Sequence, residues 1–274
     1  MCIRDSLNMM LDYVFIACFH MGIGGAAIAT GVGYSVTAVV GLFVFSQKKS
    51  LLHFKKPVFR LKVLVNAATN GCSEMATALV TGIVTMMFNW TMLHYVGEDG
   101  VAAVTIIMYV LMFASSLYTG YSYGVAPMIS FYNGEQTYSK LRKLVAISLN
   151  VIAVISIVTV IASSSLTKPL VSVFARPDNP VYDLAVTGNR ICTAALLFIG
   201  FNIFASGMFT ALSNGIVSAV LAFSRSFVFM LITMLVLPLF FGVTGIWLAT
   251  PIAELMALIL SVFMFLKYRK RYGY

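Results

Sequence analysis

Charge is what this sequence has least of. Lys and Arg number 18 and Asp and Glu 9 in 274 residues, 10% together, while 60% of the chain is hydrophobic. A soluble domain covers itself with roughly 25–35% charged residues, so a water-soluble globular protein is excluded. Cysteine is almost as sparse. Cys2, Cys18, Cys72 and Cys192 form no CxxC pair, and three of them sit in apolar context, which reads as small buried hydrophobes. His20, His53 and His94 stand apart with no ligand spacing, so no metal site is expected. No GxSxG, P-loop, workable carboxylate pair or His beside a nucleophile occurs, which argues against an enzyme and against a bound cofactor. The opening MCIRDS has neither a basic n-region nor a small-residue cleavage site, and residues 1–6 fit poorly with the apolar segment from Leu7 on; they stay unassigned.

What the chain does have is long apolar runs. A bilayer core of roughly 30 Å asks for about 20 apolar residues per helix. Full spans are expected at 22–45, 65–93, 101–131, 143–164, 187–212, 222–241 and 243–266. They make an all-α polytopic membrane protein. Before them LNMMLDYVFIACFH is too short to cross alone. The net charge is +9, and 14 of the 18 Lys and Arg lie in segments 46–62, 133–143, 213–225 and 267–271, all on one side if the spans alternate. That is the positive-inside pattern, not a phosphate-binding stripe; it makes the tail KYRKRYGY cytoplasmic, and nucleic acid is not an expected partner. Arg225 falls awkwardly. Starting its span near Ala222 lets it snorkel to the cytoplasmic interface, with GIVSAVL lying along the membrane surface.

A short repeat sets the expected architecture. Residues 22–30 read GIGGAAIAT and residues 242–250 read GVTGIWLAT, each between an apolar helix and an apolar span. Gly22, Gly25, Gly242 and Gly245 suit a tight turn where two helix backbones approach closely. The offset between the copies implies a six-span unit. Residues 7–62 are then the end of one lobe, and residues 63–274 a complete six-helix lobe with a basic tail. Copies in the same orientation are related by an axis along the membrane normal, so the parent is expected to have twelve helices, with about 170 residues preceding this chain.

Polar residues on these spans fall into stripes. Asn66, Asn70, Glu74, Thr77, Thr81 and Thr85 share one helix face, and Thr105, Tyr109, Ser116, Thr119 and Tyr123 share another. A further span offers Phe198, Asn202, Ser206 and Phe209. Such faces turn to protein or water, either lining a cavity or bonding between helices. Glu74 differs, being the lone charge between Lys62 and His94. A mid-span carboxylate costs a few kcal/mol, and no Lys or Arg in an adjacent span is obviously placed to pair with it, so it is the candidate cation-coupling residue. Glu254, a further candidate for the cavity wall, comes one turn after Pro251, and that proline frees a backbone carbonyl and invites a bend.

Several segments look familiar together. LNMMLDYVFIACFHMGIGGAAIAT resembles the end of the N-lobe in the multidrug and toxic compound extrusion (MATE) family. GYSYGVAPMISFYNGE, with Gly124, Pro127 and Gly134, is similar to the segment after that family's eighth helix, and Glu74 in GCSEMATALV falls where many members carry an acid. The resemblance implies two six-helix lobes in the plasma membrane. It implies export of cationic or amphiphilic small molecules in exchange for Na⁺ or H⁺, with this chain working beside an N-terminal lobe of the same protein. Where some relatives carry an acid in the tenth helix, this chain has Asn202 and Ser206. Two other readings are weighed beside it. One is a lipid-linked saccharide flippase, which would place Arg or Lys in its lumen for pyrophosphate, and none is expected in mid-span here. The other is a membrane component of structural or sensory role without transport.

Overall fold

In a bilayer the backbone has no hydrogen-bond partner but itself, and runs this apolar become helices. The computed structural model describes residues 2–47, 61 and 80–272, and every regular element among them is helical. Five of the described helices are long and apolar enough to cross a membrane: Gly22–Ser46, Glu98–Gly134, Tyr138–Ser165, Pro180–Ala211 and Gly215–Arg269. The chain divides into two compact units, Met1–Ala67 and Ala68–Tyr274.

In the first unit α1 (Cys2–Asp12) runs through a π-helical turn, Tyr13–Cys18, to α2 (Gly22–Ser46). The buried residues of α2 are Gly25, Ala29 and Gly33, one small residue per turn, and this stripe lets the preceding helix lie close. Asn8 Nδ2 donates to Thr30 Oγ1 across the contact at 3.4 Å.

The second unit begins, among the described residues, with α3 over 80–95. Then come α4 (Glu98–Gly134), α5 (Tyr138–Ser165) and the short α6 (Thr167–Ser172). α7 (Pro180–Cys192) passes through a 3₁₀ turn, Thr193–Ala195, into α8 (Leu196–Ala211). α9 (Gly215–Phe223) continues through a π-helical turn, Ser224–Phe229, into α10 (Met230–Tyr272). α10 is two helices meeting at Gly242, whose φ of 56° and ψ of −133° break the helical path.

The Gly-x-x-Gly turns form as the repeat predicts. Gly22 has φ of 57° and Gly242 of 56°, a conformation that glycine adopts without a Cβ penalty. A Cβ on Gly25 would stand 3.0 Å from the Cβ atoms of Phe15 and Met21, and one on Gly245 would collide with the Leu237 carbonyl. The same chemistry recurs within each unit.

Several helix ends fall outside the apolar windows. The spans expected at 101–131 and 143–164 lengthen to Glu98–Gly134 and Tyr138–Ser165. The span expected at 187–212 begins instead at Pro180, with Asn179 Oδ1 accepting the Val181 N–H at 2.9 Å and proline in the first turn. The larger correction concerns GIVSAVL. It does not lie apart on a surface: Asn214 caps a helix that starts at Gly215 and continues past Arg225. Of the span expected at 65–93, only residues from 80 onward lie within the described residues.

α8 is the hub of this unit. It is buried along Ile199, Gly200, Asn202, Phe204, Ala205, Met208 and Phe209. Gly200 receives the ring of Tyr118, where a Cβ would come within 2.6 Å, and Gly207 receives Ser122 from the same helix α4. Tyr118 is pinned there, its Oη 2.6 Å from Thr159 Oγ1 and donating to the Leu196 carbonyl at 3.0 Å. This close approach brings the polar faces of α4 and α8 together.

Candidate functional site

Helices α4, α8 and α9 border a cavity of about 990 Å³. From α4 come Thr119, Ser122, Tyr123 and Pro127. Pro127 has no N–H to offer the carbonyl four residues back, so the Tyr123 carbonyl loses its intrahelical donor. From α8 and α9 come hydroxyls that bond to one another. Ser206 Oγ lies 3.1 Å and Thr210 Oγ1 2.6 Å from Ser218 Oγ.

Arg225 also lines the cavity, carried on the π-helical turn after α9. Its Nε donates to Glu254 Oε1 at 2.8 Å and to Oε2 at 3.0 Å. Glu254 comes from the far half of α10, beyond Gly242. Asn202 Nδ2 donates to Glu254 Oε2 at 2.8 Å and to its backbone carbonyl at 2.9 Å. Ser261 Oγ in turn donates to Asn202 Oδ1 at 3.0 Å. The chain of bonds thus ties three helical segments around one ion pair. The carboxylate is the drier partner, its side chain 7% exposed against 23% for Arg225. Among the described residues the two terminal NH₂ groups of Arg225 make no hydrogen bond. Arg225 thus lines the cavity, while Glu254, which balances its charge, does not.

The MatE family model matches residues 75–235, more than half of the chain and every residue lining this cavity. The chain belongs to the MatE family. These are membrane transporters of multidrug efflux, not enzymes. The multidrug export protein MepA of Staphylococcus haemolyticus (strain JCSC1435) is 26% identical over 271 residues, covering 97% of this chain and 58% of that protein. An outward-facing structure of a multidrug resistance MATE family transporter of the MOP superfamily superposes with a TM-score of 0.82 at 21% identity, over 100% of this chain and 61% of that one. An inward-facing structure gives 0.82 at 20% identity, over 99% and 63%. The chain spans about 58% of the length of the curated relative.

The MatE chain brings Tyr123, Pro127, Asn202 and Ser206 to one cavity and sends other members of the stripes elsewhere. Ser116 bonds back to the Phe113 carbonyl of its own helix at 2.6 Å and is off the wall. Tyr109 stacks on Phe174 with ring centroids 6.1 Å apart, beside a separate recess of about 350 Å³. Thr81 lines a different, mostly apolar recess with Met86 and Trp90. Phe198 is half-buried and borders none of these spaces. The reason is geometric: packed helices cross at an angle, so a straight stripe passes from one neighbour to the next within a few turns.

Glu254, expected on the wall, is buried beneath Arg225. Arg225 itself does not snorkel to an interface, since its guanidinium turns inward to that carboxylate. Pro251 leaves α10 helical, the break being at Gly242. The carbonyl that Pro251 frees, that of Trp247, instead accepts the thiol of Cys192 at 3.4 Å. Gly124 and Gly134 lie on α4 with open space where a Cβ would stand, so neither marks a close helix approach. Asn70, Glu74 and Thr77 lie outside the described residues. Among the described residues no group of His, Cys, Asp or Glu is placed to hold a metal ion. Sequence reasoning missed Arg225, Ser218 and Ser261 as site residues. The available signal was Asn214–Gly215 before an apolar run, a helix start well ahead of the arginine.

Proposed function

We propose that this MatE-family chain is the C-terminal six-helix lobe, with the last helix and a half of the N-lobe, of a plasma-membrane antiporter. The whole protein exports cationic or amphiphilic compounds in exchange for Na⁺ or H⁺. The observation that carries this reading is the cavity of about 990 Å³ walled by hydroxyl-bearing helix faces. It is roomy enough for a drug-sized solute, since ligand sites run to about 300–1,000 Å³. The relative MepA is a multidrug export protein, which supports the same direction. So does the break of the last apolar stretch at Gly242, which divides it into two crossings and brings the lobe to six with the helix that contains residues 80–95. The parent then has twelve helices, and the basic segments put its C-terminus in the cytoplasm. Alternating access rocks one lobe against the other around a solute near the midplane.

The flippase reading asks for a basic residue in the lumen, and Arg225 is one. Glu254 already balances its charge, however, so a pyrophosphate would meet a single shared cation. That favours the antiporter.

Coupling is assigned to Glu74, where ion and solute disfavour each other by about 1–3 kcal/mol. In the complete protein Glu74→Gln keeps shape and hydrogen bonding but removes the titrating site. Gradient-driven efflux is expected to vanish while substrate binding persists and loses its dependence on pH or Na⁺. Efflux at the wild-type rate from the Gln variant would refute the assignment.

A further inference from the structure

The bonding of Arg225 is uneven, and Arg225 lines the cavity. A guanidinium carries five N–H donors in a planar fork. A purely structural pair with a carboxylate commonly uses two of its nitrogens in parallel. Here Nε alone serves both oxygens of Glu254, and the two NH₂ groups are left without a partner among the described residues. Meanwhile both Glu254 oxygens are engaged, Oε2 twice, and the acid does not reach the cavity wall. The nearby hydroxyls of Ser206, Ser218 and Thr210 are already bonded to one another. Among the described lining residues, then, the charged group the wall presents is a cation with uncommitted donors.

We infer that the free NH₂ edge of Arg225 is a docking position for the carboxylate of an amphiphilic monoanion or zwitterion. The inference rests on the cavity being the solute chamber proposed above and names a substrate class for it. Two parallel N–H groups on the end of a planar fork match the two oxygens of one carboxylate. Ile203, Ala126, Pro127 and Tyr123 on the same cavity supply the apolar contacts for the organic body. A single charge suits the site better than a double one, because Glu254 has already balanced most of what Arg225 offers. The chamber would thus accept acids as well as the cations expected of it.

The test is equilibrium binding at pH 7 to the full chain in phosphatidylcholine nanodiscs, with empty discs as the blank. The probe is radiolabelled 4-phenylbutyrate, and the competitors are 4-phenylbutanamide and 4-phenylbutylammonium, which share its body. The wild type is expected to favour the carboxylate over the amide by about tenfold, the order of one charge-assisted bidentate contact. Glu254→Gln frees Nε and removes the balancing charge, so the carboxylate should bind several-fold tighter, which loss of a merely structural pair would not produce. The double variant Arg225→Gln/Glu254→Gln replaces the ion pair with two amides that can still bond. It should lose the preference for the carboxylate over the amide. Equal affinity of the wild type for carboxylate and amide overturns the inference. So does weaker carboxylate binding by Glu254→Gln, or a preference that survives in the double variant. Binding needs no gradient, so a chain that passes this test but whose complete protein exports nothing keeps the site and loses the antiport reading.

Discussion

Removing either end of the Arg225–Glu254 pair should not cost the same. Arg225→Gln leaves a carboxylate that is 7% exposed with only Asn202 to bond it. Orphaning one charge of a buried pair costs about 3–5 kcal/mol, since the survivor keeps its desolvation penalty without the attraction that offset it. Glu254→Gln leaves the guanidinium instead, on a side chain that is 23% exposed and lines the cavity. The gap left there is nearer the cost of one unmade hydrogen bond, about 1–3 kcal/mol. Changing both to Gln removes both charges and keeps the contact with Asn202, so the double variant should lie above Arg225→Gln alone. At roughly 2–4 °C per kcal/mol for a unit of this size, Arg225→Gln should lower the melting temperature by roughly 10 °C. Glu254→Gln should lower it by about half as much. Intrinsic fluorescence reports the melt in detergent, because Trp247 is buried in the core beside Gly188. Equal losses from the two single changes, or a double variant that loses their sum, would refute the reasoning.

Three further outcomes are expected. Gly242→Ala forces a Cβ onto a backbone with φ of 56° and should destabilise by about 1–2 kcal/mol, whereas Gly245→Val meets the Leu237 carbonyl and should block folding; thermal melts and expression separate the two. Gly200→Ala drives a methyl into the Tyr118 ring, which two hydrogen bonds prevent from swinging away, and a loss of about 1–3 kcal/mol on the same melt is expected. In the complete protein a cysteine at Lys140 should react with an impermeant maleimide only in opened cells and one at Glu98 in intact cells, and labelling of position 140 from outside would overturn the assigned orientation.

Local chemistry was the legible part of the chain. The turns at Gly22–Gly25 and Gly242–Gly245 could be read from nine residues each, because positive φ and close backbone approach are decided within one turn. Apolar length gave the helices, though not their ends, since Asn179 and Asn214 act through single hydrogen bonds that hydropathy does not register. The stripes on α4 and α8 told which faces were polar but not which neighbour each polar group would meet. Tyr123 and Asn202 reach the cavity while Ser116 and Tyr109 do not. The ion pair was illegible for a different reason. Arg225 and Glu254 lie 29 residues apart on either side of the break at Gly242, and only the angle of that break brings them within 2.8 Å. No periodicity within one helix carries that information. Glu74 looked unpaired by the same kind of reading that left Arg225 and Glu254 unpaired.

The pairing across Gly242 also bears on how the chain enters the bilayer during synthesis. A lone Arg or Asp at the centre of a helix opposes insertion by about 2.5–3.5 kcal/mol on the biological scale. Arg225 and Glu254 sit on consecutive crossings joined by the tight turn at Gly242. The two can therefore leave the translocon as a helical hairpin, each cancelling the other's charge before either is surrounded by lipid. Asn202, on the crossing made just before, is already in place to receive the carboxylate when it arrives. The order of synthesis thus matches the order in which the bonds can form. A ribosome that paused between Arg225 and Glu254 would leave a cation in the membrane with its counter-charge not yet made.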